Sequence, residues 1–377
     1  MDQFDLQKKI KVLFILPKAQ QGGAETQLLC LLKNMDRQRF EIYMGFLYRN
    51  DELEKEFCGI KDVNVFFLNK RDRYDISTFF KIAQLIRRYH IDITQTFLAN
   101  HYSYIPAALA RRSIPVGGIR GMDDSISSKL YRFTNFVVQK FLTNSRRFVL
   151  VSNSYQGKLV YVRKGFCPDS ISVIENSIDY SFYSGGDGDK IRREFNIQEA
   201  QVLGTVSRLV PTKNHCLLIN MFKDILKERD NLKLLIVGDG PLMNSLKNFA
   251  SELFIADKII FTGNRKDVPD LLSAMDLFLF TTDHEGWPNV IGEAMAAKVP
   301  IISFNAGDIE RIVDSGVNGE LVGQDLSKMK MKVIELLDNK KKRKEMGRLA
   351  SEKIKQSYSV DSLVTKYESL YKSLLSA

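Results

Sequence analysis

The stretch VLGTVSRLVPTKNH, residues 202–215, shows the pattern on which the whole chain is built. Val202–Val206 is an apolar, β-rich run typical of a buried strand, and a helix is expected to begin near Asn214. The turn between them carries Arg208 and Lys213. Ligands of open α/β sheets bind beyond the carboxyl ends of the strands, so two cations there predict a diphosphate clamp. Two ordinary surface charges remain the alternative.

Strand and helix patterns alternate in the same way along both halves of the chain. The predicted strands are Val12–Leu16, Phe40–Leu47, Val63–Leu68, Ile91–Phe97, Val116–Ile119, Phe148–Ser152, Val202–Val206, Leu232–Val237, Lys258–Thr262, Leu277–Thr281 and Val299–Phe304. Strands that are apolar throughout and alternate with helices predict parallel sheets covered on both faces. Because 377 residues are too many for one ordinary core, the expected fold class is α/β with two Rossmann-like domains facing each other across a cleft.

A glycine-rich segment, residues 179–189, is the expected boundary between the two domains. It holds three glycines in a short polar stretch, which favours a flexible connection. The first domain is then expected to span residues 1–180 and the second 181–357. A tail with apolar residues at helical spacing follows from Val360 to Leu375.

The composition predicts a soluble, cytoplasmic protein without a metal centre. Hydrophobic residues make up 44% and charged residues 27%, close to average soluble usage. Val12–Leu16 follows three lysines as in a signal peptide, but it is far shorter than the about 18 residues of a membrane span and runs into Pro17. The four cysteines and four histidines lack disulfide or metal-binding spacing, so no metal is expected.

The net charge of +10 is concentrated in the first half of the chain. Residues 1–180 hold 27 basic and 18 acidic residues, whereas residues 181–377 hold 28 and 27. Such an asymmetry predicts a basic face that meets an anion: nucleic acid, a lipid surface or a phosphorylated substrate. Nucleic acid is not expected, because the chain has no aromatic stacking motif and no known binding module.

The segment Lys129–Arg147 is one local source of that positive charge. At helical spacing, its apolar stripe consists of Leu130, Phe133, Val137, Phe141 and Thr143, and its cations are Lys129, Arg132, Lys140, Arg146 and Arg147. Basic amphipathic helices lie in membrane interfaces, drawn by anionic lipid and apolar burial together. The alternative is that the stripe packs on the first sheet.

A second strand-to-helix turn, after the first strand, holds Gly22 and Gly23. Paired glycines let the backbone approach a phosphate at the start of a helix, where N–H groups and the dipole favour anions. The pattern is not GxGxxG, which argues against a nicotinamide or flavin cofactor. A tight turn selected for its geometry is the alternative.

A third turn, Asp283–Met295, places two carboxylates at the mouth of one helix. Pro288 suits the first turn of that helix, with Glu285 before it and Glu293 inside it. Carboxylates beside a diphosphate site do not bind phosphate, but they accept hydrogen bonds from the hydroxyl groups of a sugar and a ribose. The alternative is a helix cap and an unrelated surface residue.

In their order, these motifs resemble those of the GT-B glycosyltransferases of family 4 over essentially the whole chain. The shared elements are Gly22–Glu25, Ile174–Asp179, Arg208 with Lys213, Gly238–Leu242, Phe261–Asn264, and Glu285 with Glu293. The six in this order are far more specific than any one of them.

The resemblance implies a role for each of the matching residues. Arg208 and Lys213 would bind the diphosphate of the donor, and Glu293 the ribose hydroxyls. Glu285 would act as a catalytic residue that contacts the transferred sugar. The remaining expected donor-binding residues are Gly22, Gly23, Asn264, Arg265, Gly286, Trp287, Pro288, Asn289 and Val290. The final helix, within residues 358–377, would return to the first domain.

The chain departs from the family pattern in the first domain. Thr94–Phe97 lacks the histidine that many relatives carry at this strand end, and His101 follows four residues later. Gly118–Arg120 replaces a histidine or another polar group. Arg120 and His101 are therefore the candidates for the catalytic group of this domain, with a structural histidine as the alternative.

The expected activity is retaining glycosyl transfer from a UDP- or GDP-sugar, which is a substrate, with no cofactor and no required metal. The acceptor would be a lipid-linked or oligosaccharide intermediate of cell-surface polysaccharide synthesis, reached at the inner face of the cytoplasmic membrane. By resemblance, the leaving phosphate helps to deprotonate the acceptor in a same-face displacement. The alternatives are a nucleotide-sugar epimerase and a non-catalytic sugar-nucleotide sensor.

Overall fold

The computed structural model describes residues 9–19, 22–49, 53–72, 74–120, 129–283 and 285–376, without the side chains of 129–134. The chain divides into two compact units. The first comprises Met1–Ser177 and Val360–Ala377, and the second comprises Ile178–Ser359.

Each unit is a parallel sheet with helices on its faces. The elements up to Ser177 are β1 (Ile10–Leu16), α1 (Gly23–Asn34), β2 (Phe40–Phe46), α2 (Glu54–Cys58), β3 (Val63–Phe67), α3 (Ser77–Tyr89), β4 (Ile93–Thr96), α4 (His101–Ala110), β5 (Ile114–Ile119), α5 (Lys129–Asn144), β6 (Val149–Ser152), α6 (Tyr155–Arg163) and β7 (Ile171–Val173). The elements after it are α7 (Tyr180–Ser184), α8 (Gly188–Glu194), β8 (Gln201–Val206), α9 (His215–Leu226), β9 (Leu232–Val237), α10 (Met243–Glu252), β10 (Ile259–Gly263), α11 (Val268–Ser273), β11 (Leu277–Phe280), α12 (Asn289–Ala296), β12 (Ile301–Phe304), α13 (Ile309–Ile312), β13 (Gly319–Val322), α14 (Leu326–Asp338), α15 (Lys340–Ser357) and α16 (Val360–Ser376).

The first sheet has seven strands in the order β3-β2-β1-β4-β5-β6-β7. Successive residues of its central strand β1 face opposite sides, and both sides are buried. Phe14 packs into a core with α1 and α16, whereas Ile15 packs into a second core with α3 and α4. The prediction of a parallel sheet covered on both faces is confirmed.

Helix α16 at the end of the chain belongs to the first unit. Its Tyr367 and Tyr371 are fully buried, and the Tyr371 ring meets those of Phe14 and Phe40 edge-on. Burial of a large aromatic side chain contributes roughly 1.5–3 kcal/mol, so these tyrosines hold the helix on the sheet. The prediction that the final helix returns to the first domain is confirmed.

The second sheet has six strands in the order β10-β9-β8-β11-β12-β13. Phe278 and Phe280 of β11 contribute to one of its two cores, and Leu277 and Leu279 contribute to the other. All eleven predicted strands are present, within two residues at each end. The short edge strands β7 and β13 were not predicted.

The glycine-rich segment 179–189 is ordered, so the expectation of a flexible connection is wrong. Asp179 caps α7 by accepting a hydrogen bond from the N–H of Phe182, and Asp187 caps α8 in the same way. A side chain at Gly186 would collide with the carbonyl of Pro269. The glycines therefore allow close packing against α11, and the aspartates serve as helix caps.

Helix α5 buries one face and exposes part of the predicted apolar stripe. Val137 is 47% and Phe141 66% exposed, while Thr143 is fully buried. The interpretation of the stripe as a single core-facing surface is therefore wrong for the two exposed residues. Leu130 and Phe133 lie outside the described side chains. None of the described helices combines the length and apolar character that crossing a bilayer requires.

Candidate active site

The strand order of the second sheet creates a crevice between β8 and β11. These strands are neighbours, but the chain proceeds from β8 to β9 on one side and from β11 to β12 on the other. At such a switch point the two loops diverge at the carboxyl edge, which is where open α/β sheets bind ligands. Arg208 and Lys213 follow β8, and Glu285 follows β11.

The loop that carries Lys213 is fixed by side-chain hydrogen bonds to the loop after β11. Asn214 adopts a left-handed conformation, and its side-chain amide donates to the carbonyl of Thr281 and to the carboxylate of Asp283. The Thr281 hydroxyl in turn donates to the Lys213 carbonyl at 2.9 Å. The basic loop and the acidic loop are therefore held as one rigid edge.

The loop that carries Glu285 is positioned by the turn after β12. Gly307 has a φ of +62° and lies against the Glu285 carbonyl, so a side chain there would collide with it. The N–H of Asp308 donates to the Gly286 carbonyl at 3.2 Å. A glycine is thus required at position 307 for the Glu285 loop to take its place.

Lys213 and Glu285 form an ion pair within the crevice. Their side chains are 21% and 18% exposed, and the Lys213 ammonium also lies 5.3 Å from the centroid of the Phe280 ring. Arg208 is exposed and makes no ion pair or side-chain hydrogen bond with a described residue. The edge therefore presents one open cation and one cation held by a carboxylate.

Glu293 lies inside helix α12 and is partly buried. Burial raises the pKa of its carboxyl to about 7, and a hydrogen bond from the Tyr183 hydroxyl opposes this shift. Helix α12 begins at Asn289, so Pro288 is the residue before the helix, one position earlier than expected. A carboxylate with such a pKa can accept hydrogen bonds from ligand hydroxyls at neutral pH.

The loop before α12 is anchored by the Trp287 side chain. Trp287 is buried, and its ring lies 4.7 Å from that of Tyr358. Its indole N–H has no hydrogen-bond partner among the described residues. Because its side chain is buried in the core, Trp287 can meet a ligand only through its backbone.

Arg265 directs its side chain to protein carboxylates. It donates to both carboxylate oxygens of Glu194 and both of Asp267, at 2.6–3.0 Å, and these groups raise its pKa. Asn264 beside it is exposed. The Arg265 guanidinium is therefore held by protein carboxylates, which leaves the backbone of Arg265 and the exposed Asn264 available to a nucleobase.

The structure also reveals two polar contacts at this edge that sequence analysis missed. Tyr183 of α7 donates to Glu293, although 110 positions separate them. His215 is buried at the start of α9, where its Nε2 lies 2.9 Å from the Ser207 hydroxyl. Burial, helped by Lys213, lowers the pKa of His215 to about 4, so its ring is neutral. Its position directly after Lys213 and Asn214 was the signal available in the sequence.

In the first unit, Gly22 and Gly23 lie at the start of α1. Gly22 has an extended backbone, and a Cβ on it would lie 2.5 Å from a carboxylate oxygen of Glu25. An acidic side chain thus already occupies the space beside this helix N-terminus. A phosphate would have to displace the Glu25 carboxylate to reach the first N–H groups.

Arg120 and His101 lie in different surroundings. The Arg120 guanidinium donates to the Asn176 side chain at 2.6 Å and to the Tyr367 hydroxyl at 2.7 Å, and it lies over the Phe97 ring. His101 packs against the ring of Phe79 on α3. Burial, with a contribution from Lys70, lowers the pKa of His101 to about 4. The two candidate catalytic residues of the first unit share no partner among these contacts.

Within the described residues, no three acidic, histidine or cysteine side chains come together as a metal-binding group.

Two family models match consecutive parts of the chain. Residues 21–182 match the model described as Glycosyltransferase Family 4, and residues 187–353 match the model described as Glycosyl transferases group 1. Between them the two models account for most of both units.

Two curated proteins are similar over most of their length. The chain is 28% identical to the N-acetyl-alpha-D-glucosaminyl L-malate synthase of Bacillus anthracis over 83% of each chain. It is 26% identical to the UDP-Gal:alpha-D-GlcNAc-diphosphoundecaprenol alpha-1,3-galactosyltransferase of Escherichia coli, over 79% of this chain and 83% of that one.

Among solved structures, the chain is similar to Anabaena Alr3699/HepE, crystallised in complex with UDP and glucose. The TM-score is 0.78 at 24% identity, covering 97% of this chain and 100% of the other. This likeness concerns the fold and confirms the expected architecture of two Rossmann-like domains.

Proposed function

Because the chain belongs to the GT-B glycosyltransferases of family 4, we propose that it transfers a sugar, with retention of configuration, from a UDP- or GDP-sugar to an acceptor hydroxyl. The observation that carries this proposal is the meeting of Arg208, Lys213 and Glu285 at the β8–β11 switch point. This edge of the sheet would offer two cations to a diphosphate and a carboxylate to a sugar.

The donor would lie along this edge with its diphosphate on the two cations. Arg208 is open to receive a phosphate oxygen, and a guanidinium binds such oxygens with charge-assisted hydrogen bonds. Glu293 would accept hydrogen bonds from the ribose hydroxyls. The backbone of Gly286–Val290, leading into α12, would contact the sugar and the diphosphate.

Lys213 would change its partner when the donor binds. In the structure its ammonium is paired with Glu285. A diphosphate carries more negative charge than one carboxylate and would draw the ammonium to itself. Glu285 would then be released to accept hydrogen bonds from the hydroxyls of the transferred sugar.

The chemical step would break the bond between the anomeric carbon and the diphosphate oxygen. The electron pair of that bond goes to the diphosphate, where Arg208 and Lys213 stabilise the developing charge. The acceptor hydroxyl attacks the same face of the sugar, and its proton passes to the leaving phosphate oxygen. Configuration is retained, and the cations supply the charge stabilisation that a metal ion provides in other enzymes.

The acceptor would be a lipid-linked or oligosaccharide intermediate of cell-surface polysaccharide synthesis, bound by the first unit. The names of both relatives include an anionic compound, L-malate in one and a GlcNAc-diphosphoundecaprenol in the other. The first half of this chain holds the excess positive charge, 27 basic against 18 acidic residues. His101 and Arg120 are the proposed catalytic candidates on this side.

Helix α5 would hold the enzyme at the inner face of the cytoplasmic membrane. Val137, Val138 and Phe141 are all exposed on it, and Arg146 and Arg147 follow directly. An exposed apolar patch beside cations is the pattern of an interfacial helix.

The test is incubation of the pure protein with a panel of nucleotide-sugars, with slow donor hydrolysis measured by release of the nucleoside diphosphate. One UDP- or GDP-sugar is expected to be hydrolysed, equally well with and without EDTA, and to yield a sugar of unchanged anomeric configuration. Conversion of a donor into an isomeric nucleotide-sugar would show an epimerase instead. Binding of a donor without any turnover would indicate a sensor.

A further inference from the structure

Lys70 is a cation that lies buried in the first unit. It follows β3, and its side chain is 8% exposed. Its ammonium donates one hydrogen bond, to the backbone carbonyl of Asp75 at 3.2 Å, and no carboxylate of the described residues pairs with it. Lysine is almost never buried unless it is paired, because dehydrating a charge is costly. An anion bound beside the Lys70 ammonium would therefore offset the cost of burying this charge.

The acidic side chains nearest in the chain do not meet this demand. The Asp75 carboxylate accepts hydrogen bonds from the N–H groups of Arg71 and Ser77 and from the Ser77 hydroxyl. The Asp72 carboxylate accepts from the N–H of Tyr74. Both carboxylates therefore stabilise the loop between β3 and α3, and neither forms an ion pair with Lys70.

The strand ends beside Lys70 bring further cationic and aromatic groups to the same edge. The N–H of Lys70 donates to the Leu47 carbonyl, and the N–H of Leu47 donates to the Leu16 carbonyl, so the ends of β3, β2 and β1 stay in register. Tyr48 and Lys18 follow β2 and β1, and the Lys18 ammonium lies 6.0 Å from the centroid of the Tyr48 ring. These groups form a basic edge consisting of Lys18, Tyr48 and Lys70.

His101 at the start of α4 completes the surroundings. The Lys70 ammonium is close enough to lower the pKa of His101, which burial also lowers, so the imidazole is neutral at pH 7. Helix α4 starts at this residue, so its positive dipole end lies there. A neutral imidazole can hydrogen-bond an anion without adding negative charge.

We propose that the Lys70 ammonium, with His101 near it and Lys18 on the same edge of the sheet, binds a compact oxyanion of the acceptor, a phosphoryl or carboxylate group. That the anion belongs to the acceptor rests on the proposed function, whereas the anion site itself rests on the burial of Lys70 and on its lack of a carboxylate partner among the described residues. The bound anion supplies the counter-charge, and its position at the carboxyl edge of β3, β2 and β1 lies on the side of the sheet where open α/β folds bind ligands.

A structural role for Lys70 leads to the opposite expectation for stability. If the ammonium served to hold the Asp75 loop, Lys70→Met would lower the Tm of the free protein. If it is an anion ligand, Lys70→Met removes a buried charge that has no counter-ion, and the Tm of the free protein stays equal or rises. Lys81→Met is the matched control, because Lys81 also donates to a loop carbonyl, that of Leu68, but is exposed.

The experiment measures anion binding with the donor site filled by saturating UDP, so that phosphate does not report on Arg208 and Lys213. Inorganic phosphate and L-malate are titrated into the wild type, Lys70→Met and Lys81→Met by calorimetry, with Tm recorded in parallel. Wild type and Lys81→Met are expected to bind at least one of the two anions, and Lys70→Met to bind it at least about tenfold more weakly. Equal binding by Lys70→Met and wild type, or no binding by wild type, would overturn the proposal.

The same titration separates this inference from the proposed function. UDP is expected to bind all three proteins equally, and failure of UDP to bind would count against the glycosyltransferase site while leaving the phosphate comparison valid. A further arm compares glycerol 3-phosphate with farnesyl phosphate in detergent micelles. Tighter binding of farnesyl phosphate assigns the anion to a lipid carrier, and equal binding of the two compounds assigns it to a soluble acceptor. If Lys70→Met binds neither compound, the anion site is supported. If Lys70→Met binds both compounds as tightly as wild type, the anion site is contradicted.

Discussion

Glu293 titrates near neutral pH because burial raises the pKa of its carboxyl to about 7. An unfolded glutamate has a pKa of about 4.3. Between these values the folded chain binds the proton more tightly, so Glu293 lowers stability as pH rises from about 4.3 through about 7. In the proposed donor complex, by contrast, the ionised form of Glu293 would accept hydrogen bonds from the ribose hydroxyls. Stability and donor affinity are therefore expected to depend on pH in opposite directions at this residue.

Glu293→Gln is expected to weaken UDP binding about tenfold or more at pH 8 and to leave the Tm equal or higher there. Calorimetry from pH 5.5 to 8.5 measures the affinity. In wild type the affinity should gain a component that rises through pH 7, and this component should be absent from the variant, whose remaining pH dependence belongs to the ligand. Identical profiles for the two proteins would exclude Glu293 from the ribose site.

Tyr183 is expected to set where Glu293 titrates. Its hydroxyl donates to the Glu293 carboxylate and so favours the ionised form. Tyr183→Phe should shift the pH profile of UDP affinity to higher pH, with little loss at pH 8.5. Tyr180→Phe on the same helix is the control, because the Tyr180 hydroxyl is bonded to Ser351. A profile that does not move, or moves equally in the control, would contradict this role.

Glu285 is expected to have opposite effects on binding and on turnover. In the structure it pairs with the Lys213 ammonium, so Glu285→Gln would free this cation to bind a diphosphate. UDP, which lacks the sugar, should bind the variant as tightly as wild type or more tightly, while donor turnover falls at least about a hundredfold. Weaker binding of UDP by the variant would argue against the exchange of partners at Lys213.

At the scale of elements, α5 is expected to mediate membrane association. Flotation with anionic vesicles should lift the wild type at low salt and not at high salt, since surface attraction is screened over about 8–10 Å at physiological ionic strength. Replacing exposed Val137 and Phe141 with serine should reduce flotation without a loss of Tm. Phe254→Ser is the control, because Phe254 is 92% exposed in the other unit. If the wild type stays at the bottom of the gradient in low salt, α5 does not bind membranes and a soluble acceptor is favoured.

The elements that the sequence predicts well are the central ones. Strand β1 is buried on both sides and reads as a continuous apolar run. The edge strand β13 contains Glu320, and β7 is three residues long, so neither carries that signal. The helices α7 and α8 could not be predicted from their glycine-rich segment, because their packing on α11 depends on the folded surroundings.

The candidate site was predictable to the extent that it lies directly after strands. Arg208 and Glu285 follow β8 and β11, and the switch point that joins them follows from strand order. The hydrogen bond between Tyr183 and Glu293 joins segments far apart in the sequence, so no local sequence pattern predicts it. For the same reason the carboxylates that hold the Arg265 guanidinium were not foreseen.

In the proposed reaction, the two units of the molecule bind different anions. The second unit would bind the donor diphosphate with Arg208 and Lys213, and the first would bind the acceptor with Lys70 and its neighbours. The charge distribution agrees with this division, because residues 1–180 carry 27 basic against 18 acidic residues and so have cations to spare. An enzyme that joins two anionic substrates needs positive charge on both sides of the reaction.

Calorimetry with free UDP and GDP tests whether the β8–β11 edge binds the diphosphate of a nucleotide-sugar. Wild type is expected to bind one of the two. Arg208→Ala should bind it about ten- to a hundredfold more weakly, because one charge-assisted contact is worth roughly 1.5–3 kcal/mol, and the Tm should not change since Arg208 is exposed. An Arg208→Ala protein that binds the nucleotide as tightly as wild type would show that Arg208 does not hold the diphosphate.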